Sequence, residues 1–279
     1  MLYLLLAVLS SAFVSIFMRI SETKVKNNIG MLCVNYLICI ALAWGYTGFG
    51  ELFPAEAGLR TTVLLGIVNG ILFLGSFVLL QVNIEKNGVV LSSTFMKLGL
   101  LVTMVISVCF FGEVPGIPQA IGFLLAIGAI LLINYQPRAG KAGSKWGLLL
   151  LLLGGGLADA MSKVYEETGN PELSGHFLLY TFIIAFVFCV ALNGAWKKGR
   201  PGKWEWIYGI LLAVPNFFSF KFLLRSLAEV PAVIAYPVYS VACILTVTLA
   251  GVAFFKERLE KRQWTALALI LVALVLLNI

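Results

Sequence analysis

Three ionisable side chains lie well inside apolar segments of this sequence: Lys97, Asp159 and Lys221. Such a residue in the middle of a membrane-spanning helix costs about 2.5–3.5 kcal/mol on insertion scales, so it usually faces protein or water. A single carboxylate cannot neutralise both lysines, so about one positive charge remains unless burial deprotonates a lysine. A remaining ammonium group in a polar cavity favours a carboxylate or phosphate. These residues therefore predict a site for an anionic or zwitterionic solute.

Polar neighbours at helical spacing extend this predicted site. Ser93 and Thr94 precede Lys97 by four and three residues, so they share its helix face. The predicted solute-binding residues are Lys97, Lys221, Asp159, Ser93, Thr94, Asn216, Tyr236, Tyr239, Ser240 and Arg225. Two alternatives stay open. Asp159 and one lysine can form a buried ion pair that only locks helices together, and Arg225 can extend to the membrane interface.

Two prolines fall inside consecutive apolar segments and predict interrupted helices. A proline removes a backbone donor and kinks a helix, and interrupted helices in transporters line the substrate site or act as hinges. A kink filled by a neighbouring helix is the alternative. Equivalent tyrosines in two other segments either line a gate or are hydrogen-bonded core residues. The predicted gate or cavity-lining residues are Tyr36, Tyr180, Phe217, Pro215 and Pro237.

The composition predicts an integral membrane protein. Of 279 residues, 61% are hydrophobic and 12% charged, whereas soluble domains contain about 25% charged residues. Apolar segments, each predicted to be a helix because lipid cannot satisfy open backbone groups, occur at 2–20, 29–49, 61–82, 88–111, 118–135, 146–164, 174–195, 206–227, 231–255 and 262–279. Five cysteines without a CxxC pair and a single histidine predict no disulfide, metal site or cofactor.

The ten segments form two copies of five. Adding 144 to a position in 1–135 gives its counterpart in 145–279 without a gap. Polar identities in this register are Glu22 with Glu166, Tyr36 with Tyr180, Glu85 with Glu229, Glu113 with Glu257, Gln119 with Gln263, and Asn134 with Asn278. We interpret 1–135 and 146–279 as repeats joined by a basic linker at 136–145. Because five is odd, the second copy enters the membrane from the opposite side, as in the inverted repeats of secondary transporters.

Basic residues in the connections predict the orientation. The connections after segments 1, 3, 5, 7 and 9 are rich in lysine and arginine, whereas the opposite face has only Arg60, Lys163 and, at a segment end, Arg225. The positive-inside rule places the basic connections in the cytoplasm and both termini outside. The formal charge of +7 is therefore a topology signal and a contact for anionic lipid, and it does not indicate nucleic acid.

Two segment endings carry a family resemblance: FFGEVPGIPQAIGFLLAIGAILLIN at 110–134 and FFKERLEKRQWTALALILVALVLLN at 254–278. With the duplication, these resemble the ten-helix, EamA-like branch of the drug/metabolite transporter superfamily. The resemblance implies an all-α membrane protein with ten transmembrane helices, as an inverted five-plus-five repeat around a central cavity, and with the fifth and tenth helices outside it. Small four-helix multidrug relatives use a glutamate in the first helix, where Val14 and Ser15 stand here. This difference disfavours proton-coupled efflux of organic cations.

The predicted function is secondary transport, by alternating access, of a small anionic or zwitterionic metabolite such as an amino acid, organic acid or sugar phosphate. Efflux of drugs or organic cations, or a non-transporting sensor or structural role, remain alternatives. No catalytic constellation or nucleotide-binding loop supports an enzyme or an ATP-driven pump. The expected partners are the solute and the lipid bilayer of a bacterial cell membrane. Proton, sodium or counter-solute coupling stays open, as does a monomer or a homodimer.

Overall fold

The computed structural model describes residues 1–21, 23–87, 89–134, 145–197, 199–255 and 260–279. Most of the predicted linker 136–145 therefore lies outside the described residues. All regular structure within those ranges is helical. The helices are α1 Leu2–Ser21, α2 Asn28–Tyr46, α3 Leu59–Asn87, α4 Val89–Lys97, α5 Leu100–Phe111, α6 Ile117–Asn134, α7 Lys145–Thr168, α8 Ser174–Ala195, α9 Lys203–Leu227, α10 Ala232–Phe255 and α11 Lys261–Leu277, with a 3₁₀ turn at Pro171–Leu173.

Eight helical segments of the described chain are long and apolar enough to cross a membrane. One of them, Thr94–Phe111, runs through α4 and α5. Helix α6 is a shorter apolar helix, and α11 has 17 residues, or about 25 Å at 1.5 Å per residue. That length approaches the roughly 30 Å hydrocarbon core of a bilayer. The chain is therefore a multi-pass membrane protein, and the predicted fold class is confirmed.

The fourth predicted segment is divided after Lys97. The amide of Gly99 donates to the Met96 carbonyl at 3.1 Å instead of continuing the α-helical pattern. At this point the chain lies directly against α7, because a Cβ at Gly156 would stand 2.4 Å from the Gly99 carbonyl oxygen. Two glycines thus bring the backbones into contact where the helix breaks. The apolar run alone predicted one continuous helix.

Helix contacts between the halves repeat about the predicted symmetry. Helix α1 packs on α9 as α7 packs on α3, α2 packs on α9 as α8 packs on α3, and α1 packs on α10 as α7 packs on α5. Three further pairs join equivalent helices: α2 with α8, α5 with α10, and α6 with α11. Each such contact has its symmetry mate, which is the arrangement of an inverted five-plus-five repeat.

Ion pairs join the halves at the end of the molecule that carries the N-terminus, here called the terminal face (Met1, Glu113, Lys163 and Glu229). Glu113 accepts from Lys163 Nζ at 2.8 Å and from the Val233 amide at 2.9 Å, at the start of α10. The N-terminal ammonium lies 3.3 Å from Glu229. The glutamate of the FFGE sequence in the first half therefore holds two helices of the second.

Candidate functional site: a cavity between the halves

A cavity of about 280 Å³ lies between the two halves, here called the central cavity. Helices α1, α2, α3 and α4 of the first half and α7 and α9 of the second half line it. Its described lining residues are Ser11, Val14, Met18, Leu32, Asn35, Tyr36, Phe73, Ser76, Phe77, Met96, Gly155, Ala158, Asp159, Leu212 and Asn216. None of these residues belongs to α6 or α11, in agreement with the expectation from the family resemblance.

Asp159 is the one charged side chain among the described lining residues. It lies in the middle of α7, yet its side chain is exposed, because the cavity admits solvent to it. The Tyr236 hydroxyl donates to the Asp159 backbone carbonyl at 2.5 Å and attaches α10 to this turn of α7. The backbone of Asp159 is thus held against α10, and its side chain is part of the cavity lining.

Lys97 interacts electrostatically with Asp159 without touching it. The ammonium is the charged group that acts on the Asp159 carboxylate and also on Cys243 of α10. The salt bridges of the described residues do not include a contact between Lys97 and Asp159. Lys97 is exposed as the last residue of α4, next to the helix break. Lys97 is not among the described lining residues of the central cavity, although its neighbour Met96 is. Neither Lys97 nor Asp159 belongs to a salt bridge of the described residues, so each is available to another group.

Asn35 supplies an unused hydrogen-bond donor to the cavity. Its Oδ1 accepts from Asn216 Nδ2 at 3.4 Å, while its own Nδ2 is buried and without a partner among the described residues. Buried polar groups are nearly always hydrogen-bonded, so a free amide donor in a cavity indicates a ligand position. Asn35 was not among the predicted site residues, although an asparagine in the apolar run of α2 was the available signal.

Lys221 lies in a second cavity, of about 90 Å³, nearer the terminal face and here called the outer pocket. Its ammonium is 3.7 Å from the ring centroid of Tyr46, a cation–π contact. Arg225 and Glu166 also line this pocket. The structure therefore separates Lys221 and Arg225 from Asp159, although the sequence predicted all three in one site.

A chain of aromatic rings in stacked, tilted and edge-to-face contact, here called the aromatic plug, lies between the two cavities. Tyr165 of the outer pocket is 4.1 Å from Phe177, which is 5.9 Å from Phe220. Phe220 in turn is 6.0 Å from Phe73 of the central cavity. The plug consists of Tyr36, Tyr46, Phe73, Tyr165, Phe177, Phe182, Phe217 and Phe220. These contacts lie between the central cavity and the outer pocket.

The two predicted gate tyrosines have different surroundings. Tyr36 lines the central cavity and contacts Phe73 and Phe182 of the plug. Tyr180 instead donates to the Leu52 carbonyl at 2.5 Å and stacks on Phe53 at 5.9 Å. It thereby attaches the α2–α3 connection to the first turns of α8, at the terminal face.

Helix α10 carries four of the predicted residues. Tyr236 and Pro237 are buried, and Tyr239 and Ser240 are half-buried. Tyr239 shares a hydrogen bond of 3.0 Å with Ser219 of α9. None of these α10 residues is among the described lining of the central cavity, so their observed contacts are those between helices.

The remaining predicted residues are distributed over three environments. Thr94 is buried beside the α4–α5 break, and the side chain of Ser93 lies outside the described residues. Phe217 is buried in the aromatic plug, 6.3 Å from Tyr46. Pro215 is not among the described lining residues of the central cavity and instead lines a groove on the outer surface between α1 and α9.

Comparison with known protein families agrees with a chain built of two repeated halves. The model of the EamA-like transporter family matches residues 1–135 and again residues 145–279. The chain therefore belongs to the EamA-like transporter family, and the resemblance noted in the sequence is confirmed. A solved crystal structure superposes with a TM-score of 0.76 over 99% of this chain and 94% of its own, at 15% identity. That similarity supports the fold.

Three bacterial proteins show sequence similarity. An uncharacterized protein of Haemophilus influenzae is 23% identical over 94% of this chain and 92% of its own length. A probable 4-amino-4-deoxy-L-arabinose-phosphoundecaprenol flippase subunit, ArnE of Photorhabdus laumondii, is 35% identical over 29% of this chain and 68% of its own. The multidrug resistance protein EbrA of Bacillus subtilis is 27% identical over 36% of this chain and 94% of its own. The names of the last two proteins support transport across a membrane and differ in what is moved.

Proposed function

We propose that this protein is a secondary transporter that carries a small zwitterionic metabolite, such as an amino acid, through the central cavity by alternating access. One observation carries the proposal: Asp159 lines the central cavity, and Lys97, the residue after the lining residue Met96, acts on its carboxylate electrostatically without a salt bridge between the two among the described residues. A zwitterion satisfies both groups at once, its ammonium on Asp159 and its carboxylate toward Lys97. Charge-assisted hydrogen bonds of this kind are about twice as strong as neutral ones.

The other properties of the cavity fit the same solute class. Its volume of about 280 Å³ is near the lower end of the roughly 300–1,000 Å³ typical of ligand pockets, which favours a small metabolite over a large drug. The free Nδ2 of Asn35 is a further donor for a carboxylate. Ser11 and Ser76 add hydroxyl groups, while Tyr36 and Phe73 give an apolar wall for a side chain.

Alternating access here means that the two halves move relative to each other around the cavity. In this state the aromatic plug and the pair Glu113–Lys163 close the path to the terminal face. Opening that path requires both to separate. The proposed setting is the bacterial cell membrane, with the basic connections in the cytoplasm and the termini outside. Nucleic acid has no role in this proposal, and the coupling ion and the choice between monomer and homodimer stay open.

Three probes that share one side chain test the solute class. Leucine carries a positive and a negative charge, isoamylamine carries only the positive charge, and 4-methylpentanoate carries only the negative charge. We expect leucine to raise the unfolding temperature of the purified chain most, because it alone satisfies both groups. Equal stabilisation by 4-methylpentanoate would contradict the role of Asp159. Leucine uptake into proteoliposomes distinguishes a transporter from a sensor, which would be stabilised without moving the solute.

Efflux of organic cations is the second candidate, favoured by one specific observation. Asp159 is the charged group that lines the described cavity, beside the aromatic wall, and EbrA is named as a multidrug resistance protein. For this function isoamylamine would stabilise the chain at least as well as leucine, and the Lys97→Met change would strengthen that binding. The same three-probe comparison therefore decides between the two candidates.

A further inference from the structure

A groove on the outer surface, between α1 and α9, is separate from the solute cavity. Its volume is about 620 Å³, within the range of ligand-binding pockets. Phe13 and Phe17 of α1 and Pro215, Phe218 and Phe222 of α9 form most of its wall. Helix α1 presents its other face to the central cavity. Because Phe13 is 52% exposed, the groove opens toward the lipid around the protein.

The walls of the groove are aromatic rings already stacked on each other. Phe13 and Phe17 are 6.2 Å apart, and Phe218 and Phe222 are 5.5 Å apart. Ser10 is the polar residue of the described lining. A concave surface with so little polarity can bind an apolar chain through dispersion contacts along its length. Rings that are already packed against each other lose little conformational freedom when an apolar chain binds to them.

A cation stands at one end of this groove. Phe222 stacks on Tyr3 at 6.3 Å, and the Arg225 guanidinium lies 5.9 Å from the Tyr3 ring. Arg225 is in the last turn of α9, at the terminal face, where lipid phosphates lie. It is exposed and forms no salt bridge with the described residues. Lys163, on the same face, is by contrast paired with three carboxylates.

We propose that the α1–α9 groove is a binding site for one anionic phospholipid, with an acyl chain along the phenylalanines and the phosphate on Arg225. A guanidinium presents a planar fork of donors that fits a phosphate with two parallel hydrogen bonds. The order of the parts along α9, apolar wall first and cation one turn later, matches the order of tail and headgroup. Ordinary bilayer lipid covers the rest of the surface, where this combination is not repeated among the described cavities.

Native mass spectrometry of the purified chain with phosphatidylglycerol and phosphatidylcholine of identical acyl chains tests the site. We expect the wild type to retain phosphatidylglycerol in preference, and Arg225→Gln to lower that retention roughly tenfold or more. Arg60→Gln is the matched control, because Arg60 is an exposed arginine at the start of α3 on the same face. Equal retention by Arg225→Gln and Arg60→Gln would overturn the proposal.

A second variant tests the groove without touching the cation. Val214 lines the groove and is 44% exposed, so Val214→Trp fills it while Arg225 stays in place. We expect this variant to lose the retained phosphatidylglycerol. Unchanged lipid retention would show that the tail binds elsewhere. A wild-type dimer that Val214→Trp dissociates, with its lipid retention unaltered, would assign the groove to a second copy of the chain and would overturn the lipid site.

Discussion

The ion cluster around Lys163 allows a ranked prediction of stability. Its ammonium contacts Glu113 at 2.8 Å, Glu166 at 2.9 Å, and Glu167. The side chain of Lys163 is 4% exposed and that of Glu113 is 14% exposed. Removing one partner of a buried ion pair costs about 3–5 kcal/mol, so Lys163→Met should approach that range. It leaves three carboxylates close together, with Glu113 nearly buried.

The loss of stability on replacing each glutamate should follow the burial of that glutamate. Glu113→Gln leaves Lys163 with two other carboxylates, so it should cost about 1.5–3 kcal/mol, the value of a charged hydrogen bond. Glu167 is 39% exposed, and solvent screening limits Glu167→Gln to about 1 kcal/mol or less. Unfolding temperatures of the three variants in one detergent check the order Lys163→Met, Glu113→Gln, Glu167→Gln. If Glu113→Gln and Glu167→Gln are equally stable, the Glu113 link between the halves contributes nothing, and the reasoning fails.

Three further predictions concern movement, packing and binding. Cys33 of α2 and Cys189 of α8 lie in different halves with their sulfurs 3.4 Å apart. A mild oxidant should therefore cross-link them and stop leucine flux until a reductant is added, whereas the oxidant should not affect the Cys33→Ser variant. Undiminished flux in the cross-linked protein would refute the movement of the two halves relative to each other. Gly156→Ala should lower the stability by about 1–3 kcal/mol through overpacking, because the added Cβ would stand 2.4 Å from the Gly99 carbonyl oxygen. Gly75→Ala is the control and should not be destabilised, because nothing lies within 4 Å of its added Cβ. Equal unfolding temperatures of the two variants would contradict the contact between α7 and the α4–α5 break. Asn35→Leu should weaken leucine binding about tenfold in a titration, and unchanged affinity would remove Asn35 from the site.

Much of the fold follows from regularities that the sequence displays directly. The apolar segments and the register of 144 residues predict the helices and the repeat, because lipid leaves a spanning segment no alternative to internal hydrogen bonds. The break after Lys97 could not be predicted, since it coincides with a contact between Gly99 and Gly156, which lie far apart in the sequence. A glycine in an apolar run is compatible with either a continuous or a broken helix.

The sequence indicated which charged residues lie inside the membrane, but it did not show which of them share a cavity. The cost of a charge in lipid identified Asp159, Lys97 and Lys221 without any coordinates. Which cavity each one faces depends on helix rotation and crossing, and the structure places Lys221 on Tyr46 in the outer pocket. Of the aromatic plug, the sequence predicted only Tyr36 and Phe217 as gate or cavity-lining residues, because phenylalanines in apolar segments carry no periodic signal that separates a plug from a lipid-facing surface.

The central claim is that Asp159 and Lys97 bind opposite ends of one zwitterionic solute. The most direct test measures the affinities of leucine, isoamylamine and 4-methylpentanoate for the wild type, Asp159→Asn and Lys97→Met. We predict a crossed result: Asp159→Asn loses leucine and isoamylamine but keeps 4-methylpentanoate, while Lys97→Met keeps isoamylamine and loses affinity for both carboxylates. If both variants retain the wild-type order of preference among the three probes, the two charges do not bind the solute and the account is contradicted.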